Sequence, residues 1–167
     1  GWYNDWLGAL RDRAVGRTDK PGVTGDITPT RLRTAATLAA LPCAALSLAT
    51  GPLPGTLHLI AVAGAWAYNL HLKAGPWSWL PYAVSFALLP AFLVLTLPGG
   101  PTPPTWLIVG AGLLGVGAHL VNVLPDLEDD HATGIHGLPH RLGRRTTGLA
   151  APVILLTAVT TLATGPG

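Results

Sequence analysis

The sequence predicts an all-α membrane protein, a multi-helix transmembrane bundle with about five full spans. Hydrophobic residues make up 49% of the 167-residue chain, charged residues only 11%, and the mean hydropathy is +0.44. A soluble domain normally carries about 25% charged residues. The apolar residues are gathered into stretches of roughly the length that a helix needs to cross a bilayer. These observations exclude an ordinary soluble domain.

Five apolar stretches follow one another, and each is predicted to be a spanning helix within a single domain that covers residues 1–167. They lie at 34–50, 57–72, 79–97, 106–124 and 147–164. The connections 51–55 and 98–104 are rich in Gly and Pro, which cannot continue a helix. Consecutive spans are therefore expected to alternate in direction.

The positive charges predict the orientation of the spans. All ten Lys and Arg lie before the first span, after the second or after the fourth. These positions share one face if the spans alternate, and Lys and Arg are retained on the cytoplasmic side. We therefore expect a multi-pass protein of the cell membrane whose site faces the cytoplasm. Because the chain begins with Gly1 and has no Met, we also expect it to be a fragment of a longer protein.

Two acid-rich segments, 4–12 and 122–130, hold all but two of the eight acidic residues. In each segment, positions four residues apart fall on one face of a helix. Both segments are expected at the same membrane face, where they would bring together six oxygen-bearing side chains: Asn4, Asp5, Asp12, Asn122, Asp126 and Asp130. Mg²⁺ prefers oxygen ligands and needs only one or two carboxylates per ion in addition to phosphate oxygens. The pattern predicts a magnesium site that binds a diphosphate.

The ordinary interpretation of one acidic run is a solvated loop at a helix end. The pairing of two segments with the same spacing, each followed by arginines, favours a site instead. Their residues also resemble a known family. The first run is Asn4-Asp5-x-x-Gly8-x-x-x-Asp12-Arg13, followed by 17–21. The second is Asn122-x-x-x-Asp126-x-x-x-Asp130, followed by Gly134 and 138–143. They are similar to the two aspartate-rich motifs of the UbiA superfamily of intramembrane prenyltransferases.

The resemblance implies Mg²⁺-dependent transfer of an isoprenyl group from its diphosphate to an aromatic or other lipophilic acceptor in the membrane. It also implies nine transmembrane helices, of which the chain would lack the first, most of the second and the last two. The family's first motif has an acid where this chain has Gly8. One metal ligand of the first motif is therefore expected to be missing.

Several residues near the acidic segments are candidates for catalysis or substrate binding. Asp126, Asp130 and Lys73 are the catalytic candidates, and Arg13, Arg17, Tyr68, Asn69, His119 and Arg141 are the substrate-binding candidates. Each has an ordinary alternative. Lys73 and Tyr68 are also typical of a membrane interface, the arginines of orientation signals, and His119 of a histidine that is hydrogen-bonded to a neighbouring helix. His119 lies three residues before Asn122 and is a candidate base or acceptor contact.

Two other functions use the same residues. A terpene cyclase or diphosphate lyase of the same architecture would capture the carbocation internally or with water. A non-catalytic cation transporter would use the acidic clusters as a vestibule, but it requires polar residues across the bilayer, and the outer halves of the spans are expected to carry none.

The remaining patterns are expected to carry no chemistry. The net charge of +2 does not indicate nucleic acid, because the basic residues form no run. His131, His136 and His140 are interrupted by Pro139 and do not indicate a zinc site. The run 110–115 matches the dinucleotide fingerprint, but it lies inside an apolar span, where small residues indicate close helix packing.

Overall fold

In the computed structural model, the apolar stretches form helices that are separated by segments rich in Gly and Pro. The structure describes residues 2–14, 16, 21–132 and 134–166. For residues 11, 21, 129, 131 and 132 it describes the backbone only. The described residues form eight α-helices, one 3₁₀ turn and no strand. The all-α prediction is confirmed. Residues 1–46 and 47–167 form two compact units.

The first unit contains α1 (Trp2–Ala14), α2 (Pro21–Thr24) and most of α3 (Pro29–Ala49). Leu32 of α3 is buried, 1% exposed, and lies close to Gly22 of α2. The Arg33 guanidinium lies 5.4 Å from the centre of the Trp6 ring on α1, a cation–π contact. An apolar contact and a cation–π contact thus hold the start of α3 against the two preceding helices.

The second unit contains the remaining helices. They are α4 (Pro52–Leu70), a 3₁₀ turn (Leu72–Ala74), α5 (Leu80–Leu95), α6 (Thr105–Val123), α7 (Leu127–Ala132) and α8 (Leu138–Ala163). α5 packs between α4 and α6, and α8 packs on α6. The predicted apolar stretches all appear as helices, with boundaries that differ by at most five residues except at the start of the last, where α8 begins nine residues earlier than predicted.

Neighbouring helices of the second unit run antiparallel, as predicted. Along the α4–α5 interface, His58 stacks on Phe92, whereas Tyr68 meets Tyr82 at the other end. Along the α6–α8 interface, Gly110 lies against Leu162 and Gly117 against Leu155. The end of α4, the start of α5, the end of α6 and the start of α8 are therefore gathered at one end of the unit.

Glycines of α6 allow this close packing. A Cβ at Gly110 would lie 2.6 Å from Leu162 Cδ2, and one at Gly117 would lie 2.5 Å from Leu155 Cδ2. On the side that faces α5, a Cβ at Gly115 would collide with the Tyr82 carbonyl oxygen. The run 110–115 therefore serves helix packing and lies inside a helix, where a dinucleotide loop could not form.

Among the helices that the structure describes, three are long and apolar enough to cross a membrane: α3, α6 and α8. α5 is apolar but has only 16 residues, about 24 Å of helix at about 1.5 Å per residue. α4 has 19 residues, and its prolines, His58, Tyr68 and Asn69 lower its hydropathy. α8 bends at Gly143, whose φ of 79° lies in the left-handed region that favours glycine.

Candidate functional site

The first acidic segment lies on α1. This helix is continuous from Trp2 to Ala14, so Asn4, Gly8 and Asp12 share one face as predicted. The side chains of Asn4, Asp5 and Asp12 are half-buried. A Cβ built on Gly8 would lie 3.0 Å from Asp12 Oδ2. The position of the missing acid therefore adjoins the carboxylate of Asp12.

Two arginines that follow this segment, Arg13 and Arg17, are predicted to bind substrate. Arg13 is exposed and donates from Nη2 to the Gly22 carbonyl oxygen at 3.0 Å, which ties α1 to α2. Arg17 lies outside the described residues. The phosphate-binding roles of both arginines stay predictions.

The second acidic segment begins on α6 and ends on α7. The expected continuous helix face is interrupted, because α6 ends at Val123 and a turn at 124–126 precedes α7. Pro125 is the physical reason, since it has no N–H to donate and its ring clashes with the preceding helical turn. The turn remains tight: Asp126 N donates to Val123 O at 3.2 Å and Asp130 N to Asp126 O at 2.8 Å.

Asp126 and Asp130 are both half-buried. Asp130 Oδ2 lies 3.8 Å from His140 Nε2 at the start of α8, and the Asp130 carbonyl oxygen accepts the Ile135 N–H at 2.9 Å. Glu128, in contrast, is 83% exposed and pairs with Arg144 at 3.2 Å. Among the acids whose side chains the structure describes in this segment, Asp126 and Asp130 are thus less exposed than Glu128.

Within either unit, the described His, Cys, Asp and Glu side chains include no group of three that could hold a metal ion. The donor set of the second segment consists of the carboxylates of Asp126 and Asp130 and the amide of Asn122. These are hard oxygen ligands that suit Mg²⁺ and do not suit zinc. The residues fit an ion that takes its remaining ligands from water and phosphate.

Three rings pack beside this segment, at the end of the unit where α4, α5 and α6 meet. The centres of the Tyr68 and Tyr82 rings are 5.2 Å apart, and the rings are nearly perpendicular. The His119 ring lies 4.9 Å from Tyr82 and 5.8 Å from Tyr68. We call Tyr68, Tyr82 and His119 the aromatic cluster.

Asn122 connects the aromatic cluster to the acidic segment. Its Nδ2 donates to the Tyr82 hydroxyl at 3.3 Å, and Asp126 follows four residues later, at the end of the turn after α6. The side chain is exposed. Asn122 is thus a member of the acidic segment that is hydrogen-bonded to the aromatic cluster.

His119 is itself buried, 1% exposed. Its Nε2 lies 3.0 Å from Ser78 Oγ, in the turn just before α5. Ser78 Oγ also accepts the Leu138 N–H at 2.9 Å. The hydrogen bond to a neighbouring element, considered above as the alternative for His119, is therefore present.

Sequence reasoning overlooked Ser78 and Tyr82. Ser78 lies between Trp77 and Trp79, and no sequence signal distinguishes it. Tyr82 did carry a signal: two of the chain's three tyrosines flank the connection between α4 and α5. Their positions near Lys73 could have indicated a shared site.

The other candidates have local contacts. Asn69 Nδ2 donates to Ala65 O at 2.9 Å, on its own helix. Arg141 Nε donates to His136 O at 3.1 Å and its side chain is exposed. Lys73 is half-buried in the 3₁₀ turn, and its carbonyl oxygen lies next to Gly137. Lys73 and the loop that leads into α8 therefore share the end of the unit that carries Asp130.

The expectation that the outer halves of the spans carry no polar residues is wrong. His58 Nδ1 lies 2.7 Å from Ser47 Oγ, at the opposite end of the α4–α5 pair from the aromatic cluster. The pair contains no carboxylate. It satisfies two polar groups in an apolar region, as buried polar groups require.

The two acidic segments belong to different units, so their convergence at one site stays a prediction. Comparison with known proteins gives one match: the model of the UbiA prenyltransferase family matches residues 1–167. No curated protein and no solved structure matches the chain. Since the family model covers every residue, the chain belongs to the UbiA prenyltransferase family.

Proposed function

We propose that the protein transfers an isoprenyl group from an isoprenyl diphosphate to an aromatic or other lipophilic acceptor within the membrane, in a reaction that requires Mg²⁺. One observation carries the proposal beyond family membership. The half-buried acids Asp126 and Asp130 lie on the segment that Asn122 joins to the aromatic cluster. Diphosphate and carbocation chemistry need these two environments side by side.

The acidic segments are where the metal would be held. Asn122, Asp126 and Asp130 would supply ligands from the second unit, and Asn4, Asp5 and Asp12 from the first. Mg²⁺ bound there would neutralise the charge that develops on the leaving diphosphate.

Lys73 adds positive charge at the same end of the second unit. It is half-buried and its backbone lies against Gly137, beside the loop that follows Asp130. A fixed cation near a leaving diphosphate stabilises the developing negative charge, most strongly where water is scarce. We assign Lys73 this role.

The aromatic cluster would face the isoprenyl carbon. When the C–O bond to diphosphate breaks, both electrons leave with the oxygen and the carbon becomes positive. The faces of Tyr68 and Tyr82 attract a cation within about 6 Å. The acceptor then supplies the electron pair for the new bond and releases a proton, so the products are a prenylated acceptor and diphosphate.

The proposed location of the site is the cytoplasmic end of the bundle. Lys73 and Arg141, which mark the cytoplasmic side by the distribution of charge, lie at the end of the second unit that carries Asp126 and Asp130. A charged substrate would enter there from water, while its isoprenyl chain lies among the apolar helices.

The test is the mass of the product. The full-length protein in membranes is supplied with a panel of isoprenyl diphosphates, Mg²⁺ and a membrane extract as the source of acceptors. We expect a new lipid whose mass equals that of an extract component plus one isoprenyl group minus one hydrogen. An isoprenyl alcohol or hydrocarbon with no acceptor mass would instead identify a lyase or cyclase, and no consumption of any diphosphate would contradict catalysis.

A further inference from the structure

Ser78 joins three parts of the second unit. It lies just before α5 and is 1% exposed. Its hydroxyl oxygen lies 3.0 Å from His119 Nε2 on α6 and accepts the N–H of Leu138, the first residue of α8, at 2.9 Å. The neighbouring Gly137 has no room for a side chain, because a Cβ there would lie 2.8 Å from Ser78 Oγ. The α7–α8 loop thus closes directly onto Ser78.

The hydrogen bonds of Ser78 determine which nitrogen of the His119 ring carries the proton. The Ser78 oxygen already accepts the Leu138 N–H, and its own proton needs an acceptor. His119 Nε2 is the acceptor within hydrogen-bond distance among the described residues. If Nε2 carried a proton instead, the Ser78 proton and the Nδ1 lone pair would both be left without partners. Each buried polar group left unsatisfied costs about 1–3 kcal/mol. The favoured arrangement has Ser78 donating to Nε2 and His119 protonated on Nδ1.

The Nδ1–H of His119 then remains as a donor. It is buried and has no hydrogen-bond partner among the described residues. The ring that carries it packs against Tyr82 and Tyr68. Buried N–H groups without a partner are uncommon in folded proteins and require an explanation. A bound ligand that supplies an oxygen atom would satisfy this one.

We propose that Ser78 is a positioning residue, which holds His119 as an Nδ1–H donor, and that this donor binds an oxygen atom of the prenyl acceptor. The second half rests on the proposed function. It narrows the acceptor to molecules that carry a hydroxyl, carbonyl or carboxylate oxygen near the prenylated atom. In this arrangement His119 donates a hydrogen bond to the prenyl acceptor. It is therefore excluded as the base that removes a proton from that molecule.

The position of the proton on His119, and the role of Ser78 in holding it there, are tested without enzymatic turnover. The full-length protein is labelled with ¹⁵N-histidine, placed in lipid nanodiscs and studied by NMR, with the His119 signals assigned by their loss in His119→Gln. We expect Nδ1 protonated in the wild type, and a changed or mixed tautomer in Ser78→Ala. The matched control is Ser85→Ala, which removes a serine hydroxyl of α5 that is hydrogen-bonded to Ala61 O at 2.9 Å, and which should leave the His119 signals unchanged. A wild-type His119 protonated on Nε2, or an unchanged tautomer in Ser78→Ala, would overturn the assignment.

The second half is tested by kinetics. Loss of the Ser78 hydrogen bond should raise the acceptor KM about tenfold, equivalent to about 1.4 kcal/mol, with the KM for the isoprenyl diphosphate unchanged. His119→Asn keeps an N–H near the Nδ1 position, whereas His119→Gln places one near Nε2. The Asn variant should therefore retain the lower acceptor KM. Equal KM values in these two variants, or equal effects of Ser78→Ala and Ser85→Ala, would contradict an acceptor contact through Nδ1.

These outcomes separate the inference from the proposed function. If no acceptor is prenylated by the wild type, the proposed function fails and the acceptor contact fails with it, while the tautomer of His119 is still decided by NMR. If the wild type is active but its His119 carries the proton on Nε2, the function stands and the role of Ser78 is refuted. Should Ser78→Ala fail to fold, the wild-type tautomer and the His119 pair still decide the two halves.

Discussion

Gly8 occupies the position at which the family motif carries an acid, and its surroundings show what an acid would meet there. A Cβ would lie 3.0 Å from Asp12 Oδ2, the movable end of a side chain, and the three nearest atoms outside the local helix backbone all belong to the Asp12 side chain. An aspartate could therefore be accommodated if the Asp12 side chain shifts slightly. Two carboxylates at this spacing repel each other without a cation and together attract a divalent one.

We predict that Gly8→Asp lowers the Mg²⁺ concentration for half-maximal turnover about fivefold, equivalent to about 1 kcal/mol of binding free energy. Gly8→Asn is the matched control, because it has the same shape and no charge. Magnesium titrations of both variants with one isoprenyl diphosphate give the comparison. An equal magnesium requirement in wild type, Gly8→Asp and Gly8→Asn would show that this face of α1 does not hold the ion.

Among the helices, α6 is the one against which the second unit is assembled, because α5 and α8 both pack on it. Its glycines are not equivalent. At Gly115 a Cβ would collide with the backbone oxygen of Tyr82 and lie 2.8 Å from Phe86 Cβ. At Gly112 the nearest atoms are 3.5 Å away, which is ordinary van der Waals contact.

Gly115→Ala is therefore expected to push α5 away from α6 and destabilise the protein by about 1–3 kcal/mol, the usual cost of overpacking. Gly112→Ala should be neutral or slightly stabilising, since Ala favours a helix more than Gly does. Thermal unfolding in one detergent measures both. The packing described for α6 would be refuted if the two variants unfolded at the same temperature.

The helices also show what the sequence could predict and what it could not. Gly and Pro at 51–55 and 98–104 marked where the helices end, and the small residues at 110–115 correctly indicated close packing. Pro125 indicates a break in the helix, because it has no N–H to donate, whereas the regular spacing of Asn122, Asp126 and Asp130 favours one continuous helix face. The contact between Ser78 and His119 joins residues 41 positions apart. Such a contact depends on how α5 meets α6, and no local pattern encodes it.

For the whole molecule, the family assignment and the apolar helices agree on an integral membrane protein, and the second acidic segment lies at the end of the second unit where we propose the chemistry. The acids, Lys73 and the aromatic cluster are brought there because α4, α5, α6 and α8 are antiparallel neighbours. The first segment, on α1, belongs to the other unit. Its share in the site stays a prediction that rests on the paired motifs.

The central claim is that Asp126 and Asp130 hold the Mg²⁺ that isoprenyl transfer requires. The most direct measurement is the rate of product formation against Mg²⁺ concentration for the wild type, Asp126→Asn, Asp130→Asn and Glu128→Gln. Glu128 is the matched control, because it lies in the same segment but is 83% exposed and pairs with Arg144, an exposed ion pair that contributes little to stability. We predict that chelation of Mg²⁺ abolishes turnover. The rate of both aspartate variants should fall at least about 100-fold, in the range that loss of one transition-state electrostatic contact produces. Glu128→Gln should keep the wild-type magnesium dependence. Aspartate variants that turn over like Glu128→Gln, or a wild type that is active without divalent cations, would contradict the claim.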